Sequence, residues 1–235
     1  MRIFVTMLAV LMAGGTLVVP TVAMADAVDV QKAERRRLRA ESAKLIQRGA
    51  WSGVERNYQK IRRLRKVATC WKDFSNAAYA AMNLGKSEEL IIRLWGAQTT
   101  MNKLPKTCVT QKNEAESESI RTWLSATLKD FGYVNIKVKK GVTLGWDDPP
   151  FDPSVRQAGD KVLTIIASKG KYKGLMPKGT YTIKNSTKKT LKVKSASWLK
   201  SGQCAVKEAK KKRPKFSKCI KKAKAQKFRL KRAKK

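Results

Sequence analysis

Residues 77–91 read Ala77-Ala78-Tyr79-Ala80-Ala81-Met82-Asn83-Leu84-Gly85-Lys86-Ser87-Glu88-Glu89-Leu90-Ile91, and this stretch decides the fold. Phe74, Ala77, Ala78, Ala81 and Met82 fall at three- and four-residue spacing, the pattern of a helix with one apolar face. Leu84-Gly85 interrupts the pattern, and Leu90, Ile91, Leu94 and Trp95 resume it. The local reading is a helix, a tight glycine turn and a second helix. The same plan occurs upstream, where Leu38, Leu45 and Ile46 lead into Gly49 and Val54, Tyr58, Ile61 and Leu64 follow. From Gln31 to about Asp130 the chain is rich in Ala, Leu, Glu, Lys and Arg, so the helical zone extends over that whole length, with a further helix near Glu114 to Phe131.

The segment Ala77 to Ile91 resembles the central part of a tetratricopeptide repeat. In that family a small residue on the first helix lets the second pack closely, a Leu-Gly pair closes the helix in a left-handed turn, and a short acidic start opens the next helix. The stretch Leu45 to Ile61 is similar, and Gly49 stands 36 residues before Gly85, near the family's period of about 34. The resemblance covers roughly residues 38 to 104. It implies a scaffold with a concave groove for a peptide or protein partner, short because only two repeats are present.

The first twenty-five residues carry an export signal. Met1 and Arg2 give a positive start, and Ile3 to Val19 is apolar apart from Thr6, Gly14, Gly15 and Thr16. The stretch closes on Pro20, Thr21 and the small-x-small triplet Ala23-Met24-Ala25, which suits signal peptidase, so the mature chain is expected to begin at Asp26. A membrane anchor is the rival, since the apolar run approaches spanning length; the glycine pair, the proline and the cleavage triplet favour a removed peptide. No cysteine lies near the cleavage point, which argues against a lipid anchor. The expected location is periplasmic or secreted, with no integral span after signal removal.

The chain carries 53 Lys and Arg against 17 Asp and Glu, a net charge of +36, and the signal holds only one of those cations, Arg2. Such a balance favours binding to polyanions: nucleic acid, lipid A phosphates, acidic glycans or an anionic membrane surface. Cys70, Cys108, Cys204 and Cys219 are an even number in an exported chain, so disulfides are expected. Zinc is the rival, but there is no C-x-x-C and no histidine to complete a ligand set. Cys70 precedes the helix around Phe74, and Cys108 follows the helix that ends near Met101. A helical hairpin returns its chain to the end where it began, so Cys70 pairs with Cys108 and Cys204 with Cys219.

After Gly132 the period becomes alternating. Val134, Ile136 and Val138 point one way and Asn135, Lys137 and Lys139 the other, with Val142-Thr143-Leu144 expected to pair back across Lys140-Gly141. Trp146 to Pro153 forms a rigid connector whose Asp152-Pro153 starts a helix to about Ser168, burying Val155, Val162, Leu163 and Ile166. Gly170, Gly174, Pro177 and Gly179 break the chain. Thr180 to Ile183 and Leu191 to Val193 read as a closing hairpin around Asn185-Ser186. The phrase Leu175 to Ile183 is similar to the proline-glycine strand start of small envelope β-domains of the PEGA type. The whole resembles exported bacterial proteins that join a tetratricopeptide-like front to a small α+β back, a family that brings no known activity.

From Lys207 to Lys235 more than half of the residues are basic, with Glu208 the one acid. Such a block is expected to act as an interaction arm, helical or disordered. The polyanion-binding candidates are Lys210, Lys211, Lys212, Arg213, Lys215, Lys221, Lys222, Lys224, Arg229, Lys231 and Arg232. Phe216, Cys219, Ile220 and Ala223 form an apolar stripe that could lay the arm on an anionic surface; Phe216 and Phe228 would equally suit stacking on bases.

Without histidine, Ser-His and Cys-His catalysis is excluded. Ser197-Trp198-Leu199-Lys200 matches S-x-x-K, but it trails a strand where the motif should open a helix in a pocket. Asp147, Asp148 and Asp152 stand among prolines, which favours turn and capping roles. The expectation is an α+β protein divided into signal peptide 1–25, tetratricopeptide-like helical domain 26–131, small α+β domain 132–200 and cationic tail 201–235. It has no enzymatic activity, cofactor, metal or small-molecule substrate; it binds a protein or peptide partner in its groove and an anionic surface through its tail. The alternative is a general binder of nucleic acid, lipid A or acidic glycan.

Overall fold

Two left-handed glycines close two helical hairpins. Gly49 (φ 66°) separates α1 (Thr21–Gln47) from α2 (Trp51–Arg63), and Gly85 (φ 62°) separates α3 (Trp71–Asn83) from α4 (Ser87–Lys103). Each hairpin turn is a Schellman motif. Ala50 N donates to Leu45 O at 2.8 Å and Gly49 N to Ile46 O at 3.0 Å; Lys86 N donates to Ala81 O at 2.8 Å and Gly85 N to Met82 O at 2.9 Å. The coordinates are a computed structural model that describes residues 21–103, 108, 114–139, 142–184, 190–211 and 214–230. Residues 1–20 of the expected signal peptide lie outside the described residues, and α1 runs unbroken across Ala25-Asp26. Among the described residues no helix is long and apolar enough to cross a membrane.

Small side chains bring the helices of the second hairpin together. Ala77, Ala78, Ala80 and Ala81 of α3 are fully buried, and a Cβ on Gly96 of α4 would stand 2.6 Å from the Phe74 ring. A fifth helix, α5 (Glu114–Asp130), packs on α4 and runs straight into β1 (Phe131–Val138), so the sheet begins where the helix ends. The remaining elements are β2 (Thr143–Trp146), α6 (Pro153–Lys169), β3 (Lys171–Pro177), β4 (Gly179–Lys184), β5 (Thr190–Val193), α7 (Leu199–Ala209), α8 (Ser217–Ile220) and β6 (Gln226–Leu230). The class is α+β.

The strands form two three-stranded sheets, ordered β3-β1-β6 and β2-β4-β5. The expected pairing of β1 with Val142 to Leu144 does not occur; its turn, Lys140-Gly141, lies outside the described residues. Instead β1 pairs antiparallel with β3 and parallel with β6, while β2 pairs with β4. The reason is burial. β1 is central and covered on both faces over much of its length: Phe131 and Tyr133 face the helices, and Val134 and Ile136 join Val162 and Ile166 of α6 with Tyr181 and Ile183 of β4. Trp146 of β2 stacks on Tyr181 with ring centres 4.5 Å apart, which holds β2 in the second sheet.

The segment read as broken by Gly174 and Pro177 is strand β3. Gly174 is there because a Cβ would meet the Tyr172 hydroxyl at 2.7 Å, and Pro177 ends the strand, where Lys178 N takes up the hydrogen bond to Asp130 O at 2.8 Å. The closing hairpin is formed by β4 and β5, with Thr180 opposite Lys192; residues 185–189, including Asn185-Ser186, lie outside the described residues. Asp152 caps α6: its carboxylate accepts from the Ser154 hydroxyl at 2.6 Å and from Ser154 N at 2.8 Å, and these hydrogen bonds, the hydroxyl's first, hold its acid below the ordinary range. Of the residues expected to be buried by α6, Val162 and Ile166 are; Val155 and Leu163 are half-buried.

The basic tail departs most from expectation. Phe216, Cys219, Ile220 and Ala223 are not an open stripe: they sit in the helical core, with Phe216 6.1 Å from Trp95 ring to ring. Leu230 of β6 is buried in the sheet core, with Phe228 packed against it. Among the described residues of the tail, these apolar groups thus fill the interior while the lysines stay in water. The disulfides are Cys70–Cys108 (Cα–Cα 5.6 Å) and Cys204–Cys219 (5.3 Å), the pairing expected from the hairpin geometry. Two disulfides are typical of extracellular or periplasmic proteins.

Candidate functional site

A groove runs between α1 and α3. Arg36, Arg39, Ala40, Ala43, Ile46 and Gln47 share one face of α1, at the spacing that aligns side chains along a helix, and Lys72, Asn76 and Tyr79 share the facing side of α3. The space holds about 560 Å³. Its floor is apolar and its rim is basic. At the α5 side Tyr79, 44% exposed, packs at a tilt against Trp123 with ring centres 4.5 Å apart, which continues the surface across a third helix.

The rim is fixed from behind. Arg39 Nε donates to Asp73 Oδ1 at 2.7 Å, and Asp73 Oδ2 accepts from Cys70 N at 2.8 Å. One carboxylate therefore caps α3, holds α1 to it and sits beside the Cys70–Cys108 bridge. Arg35, nearly buried, donates to Ala68 O at 2.9 Å in the link between α2 and α3. Lys72 approaches Glu116 of α5 at 3.9 Å, an exposed pair of small energetic weight.

On the opposite side of α3 lies a buried charge network. Arg93 of α4 is 3% exposed; it donates to Ala77 O at 2.6 Å, pairs with Glu55 at 2.7 Å and with Glu89, and covers the Tyr58 ring at 4.7 Å. Burial works to raise the Glu55 acid, but hydrogen bonds from Arg93 and Gln59 and the charge of Arg93 outweigh it and hold the group low. Burial also pushes the Tyr58 phenol up to about 12. Arg93 thereby links α4 to both α3 and α2 and clamps the two hairpins together.

Among the described residues the tail cations stand in three places. Lys210, Lys211 and Lys215 are exposed around the end of α7, where Lys211 pairs with Glu208 and Lys215 N donates to the same carboxylate at 2.8 Å. Lys221, Lys222 and Lys224 are exposed in the turn after α8. Arg229 is exposed on β6, in register with Lys137 of β1. Lys212, Arg213, Lys231 and Arg232 lie outside the described residues. The structure thus scatters the described cations over three places, and joins Arg229 to strand lysines that no run of charge in the sequence connects.

Ser197 and Lys200 do stand at a helix start, because Leu199 opens α7, so the motif is not simply the trailing end of a strand; both side chains are exposed. Asp147 accepts from the Thr182 hydroxyl at 3.4 Å, and Asp152 is the α6 cap. Among the described residues no group of three or more His, Cys, Asp or Glu is placed to hold a metal. Comparison with protein-family models, curated proteins and solved structures gives no match.

Proposed function

We propose that this chain is an exported, non-enzymatic scaffold: its helical hairpins, read as tetratricopeptide-like repeats, hold a protein or peptide partner in the α1–α3 groove, while its surface cations attach it to an anionic surface. The observation that carries the reading is the groove itself, an apolar floor between Ala40, Ala43 and Ile46 with Arg36, Arg39 and Lys72 along its rim. Apolar floors with cationic rims suit an extended segment that is acidic at its edges. Export is supported by the signal-like residues 1–25 and by the two disulfides.

A fluorescent peptide alternating Glu and Leu tests the groove. Ala43→Trp fills the floor and is expected to weaken binding by about tenfold, the worth of one well-placed contact. A peptide that binds equally to wild type and variant would remove the groove from the account. The second reading, a general polyanion binder in which the helices are only a frame, is favoured by one observation: Lys221, Lys222 and Lys224 are exposed and form no ion pair among the described residues.

A further inference from the structure

We propose that the open half of the β3-β1-β6 sheet is a docking face for the phosphates of an anionic phospholipid bilayer. The proposal rests on the reading that the chain is held to an anionic surface, and moves the site from a tail arm to a folded face. In the sheet register, Lys173, Asn135 and Lys227 lie side by side, and so do Lys171, Lys137 and Arg229. Residues directly opposite one another in a sheet share a face, strands are about 4.8 Å apart, and residues two apart on a strand are about 6.8 Å apart. Five cations thus surround Asn135 on a patch whose backbone spans roughly 10 Å by 7 Å. All five are exposed, and none forms an ion pair among the described residues.

The same face changes character along its length. Phe131, Tyr133 and Leu175 are buried against the helices; one residue pair further on, the face is open and basic. Edge lysines guard a sheet against pairing with another chain, which would account for β3 and β6. It does not account for Lys137, which sits on the central strand between Lys171 and Arg229. Like charges directly opposite one another destabilise a sheet, so this row is retained at a cost that a bound array of anions would relieve.

The patch carries no aromatic or apolar side chain among its six positions. Single-stranded nucleic acid is gripped by aromatic stacking as well as charge, and nothing here supplies it. A planar array of phosphates requires only an opposed array of cations, each Lys or Arg strengthening attachment roughly fivefold. The disulfides are typical of extracellular or periplasmic proteins, which meet membrane surfaces.

The test is co-sedimentation of the disulfide-bonded full chain with vesicles of phosphatidylglycerol and phosphatidylcholine at low salt. Lys137→Gln, Lys171→Gln and Arg229→Gln together are expected to weaken binding on the order of 100-fold. Lys210→Gln, Lys211→Gln and Lys215→Gln, which remove the same net charge, are expected to change it only a few fold. Lys137→Arg with Lys171→Arg keeps the charge and should keep the binding, which separates loss of the site from loss of the fold. Equal loss in both neutralised triples would overturn the face and leave only net charge. Failure of the wild type to sediment with the anionic vesicles would overturn the anionic-surface reading itself. Tighter binding to an oligonucleotide than to vesicles, lost in the sheet triple, would make the face a nucleic-acid site and overturn the lipid assignment.

Discussion

Arg93 couples more of the helical half than any other side chain described, since it joins α4 to a carbonyl of α3 and to a carboxylate of α2. Replacing it by Met keeps the packing volume but leaves Glu55 without its partner, and removing one member of a buried pair costs about 3 kcal/mol. A lowered midpoint in urea with unchanged slope is the expected result. Because the Glu55 acid is held below its ordinary value of 4.5, its contribution is present above that pH and lost as pH falls through the lower folded value. Glu55→Gln should therefore flatten the acid limb of stability, read from thermal midpoints between neutral pH and about pH 3. The two turn glycines share one backbone conformation but not one environment: a Cβ on Gly85 would meet Ala158 backbone atoms at 3.3 Å, whereas on Gly49 the nearest atom is 3.9 Å away. Both changes to Ala should cost about 1 kcal/mol for the left-handed backbone, with Gly85→Ala the larger loss. These glycines were legible in the sequence, because a Leu-Gly or Arg-Gly break in a helical pattern has few other readings. Arg93 was not; nothing in Leu90-Ile91-Ile92-Arg93 says that the arginine turns inward to Glu55.

At the level of elements, the hairpins, α5 and the α6 cap could be read from the chain because each depends on neighbours close in sequence, and the disulfides because a helical hairpin brings Cys70 to Cys108 across 38 residues. The sheets could not. β1 takes β6 as a parallel partner from nearly a hundred residues downstream, and no local pattern encodes that choice. The burial of the tail was not legible for the same reason: Phe216, Cys219, Ile220 and Ala223 look like a thin stripe among lysines until the core they complete is in place. The cationic sheet face was hidden likewise, although the outward alternation of Lys137 in β1 was visible on its own strand. The Cys204–Cys219 bridge, closing a separation of 15 residues, ties this segment to α7. Cys204→Ser with Cys219→Ala is expected to cost about 3 kcal/mol and to raise amide exchange in β6 before it does so in α3 or α4.

For the whole molecule, a net charge of +36 sets the terms. Self-repulsion opposes the fold, and two disulfides together with two hydrophobic cores offset it. Deleting residues 207–235 would remove half of one disulfide and strand β6, so the role of the cations is better tested by substitution than by truncation. The proposed function separates two jobs: charge would attach the molecule, and the α1–α3 groove would stay free for a partner. The most direct measurement is retention of the wild type and of the Ala43→Trp groove variant on isolated envelope through a salt series. The expected result is that both are retained at low salt and both are released together as salt screens the contact, over roughly 50 to 200 mM. Retention of the wild type at high salt, with release of the groove variant at every salt concentration, would contradict it and assign attachment to the groove.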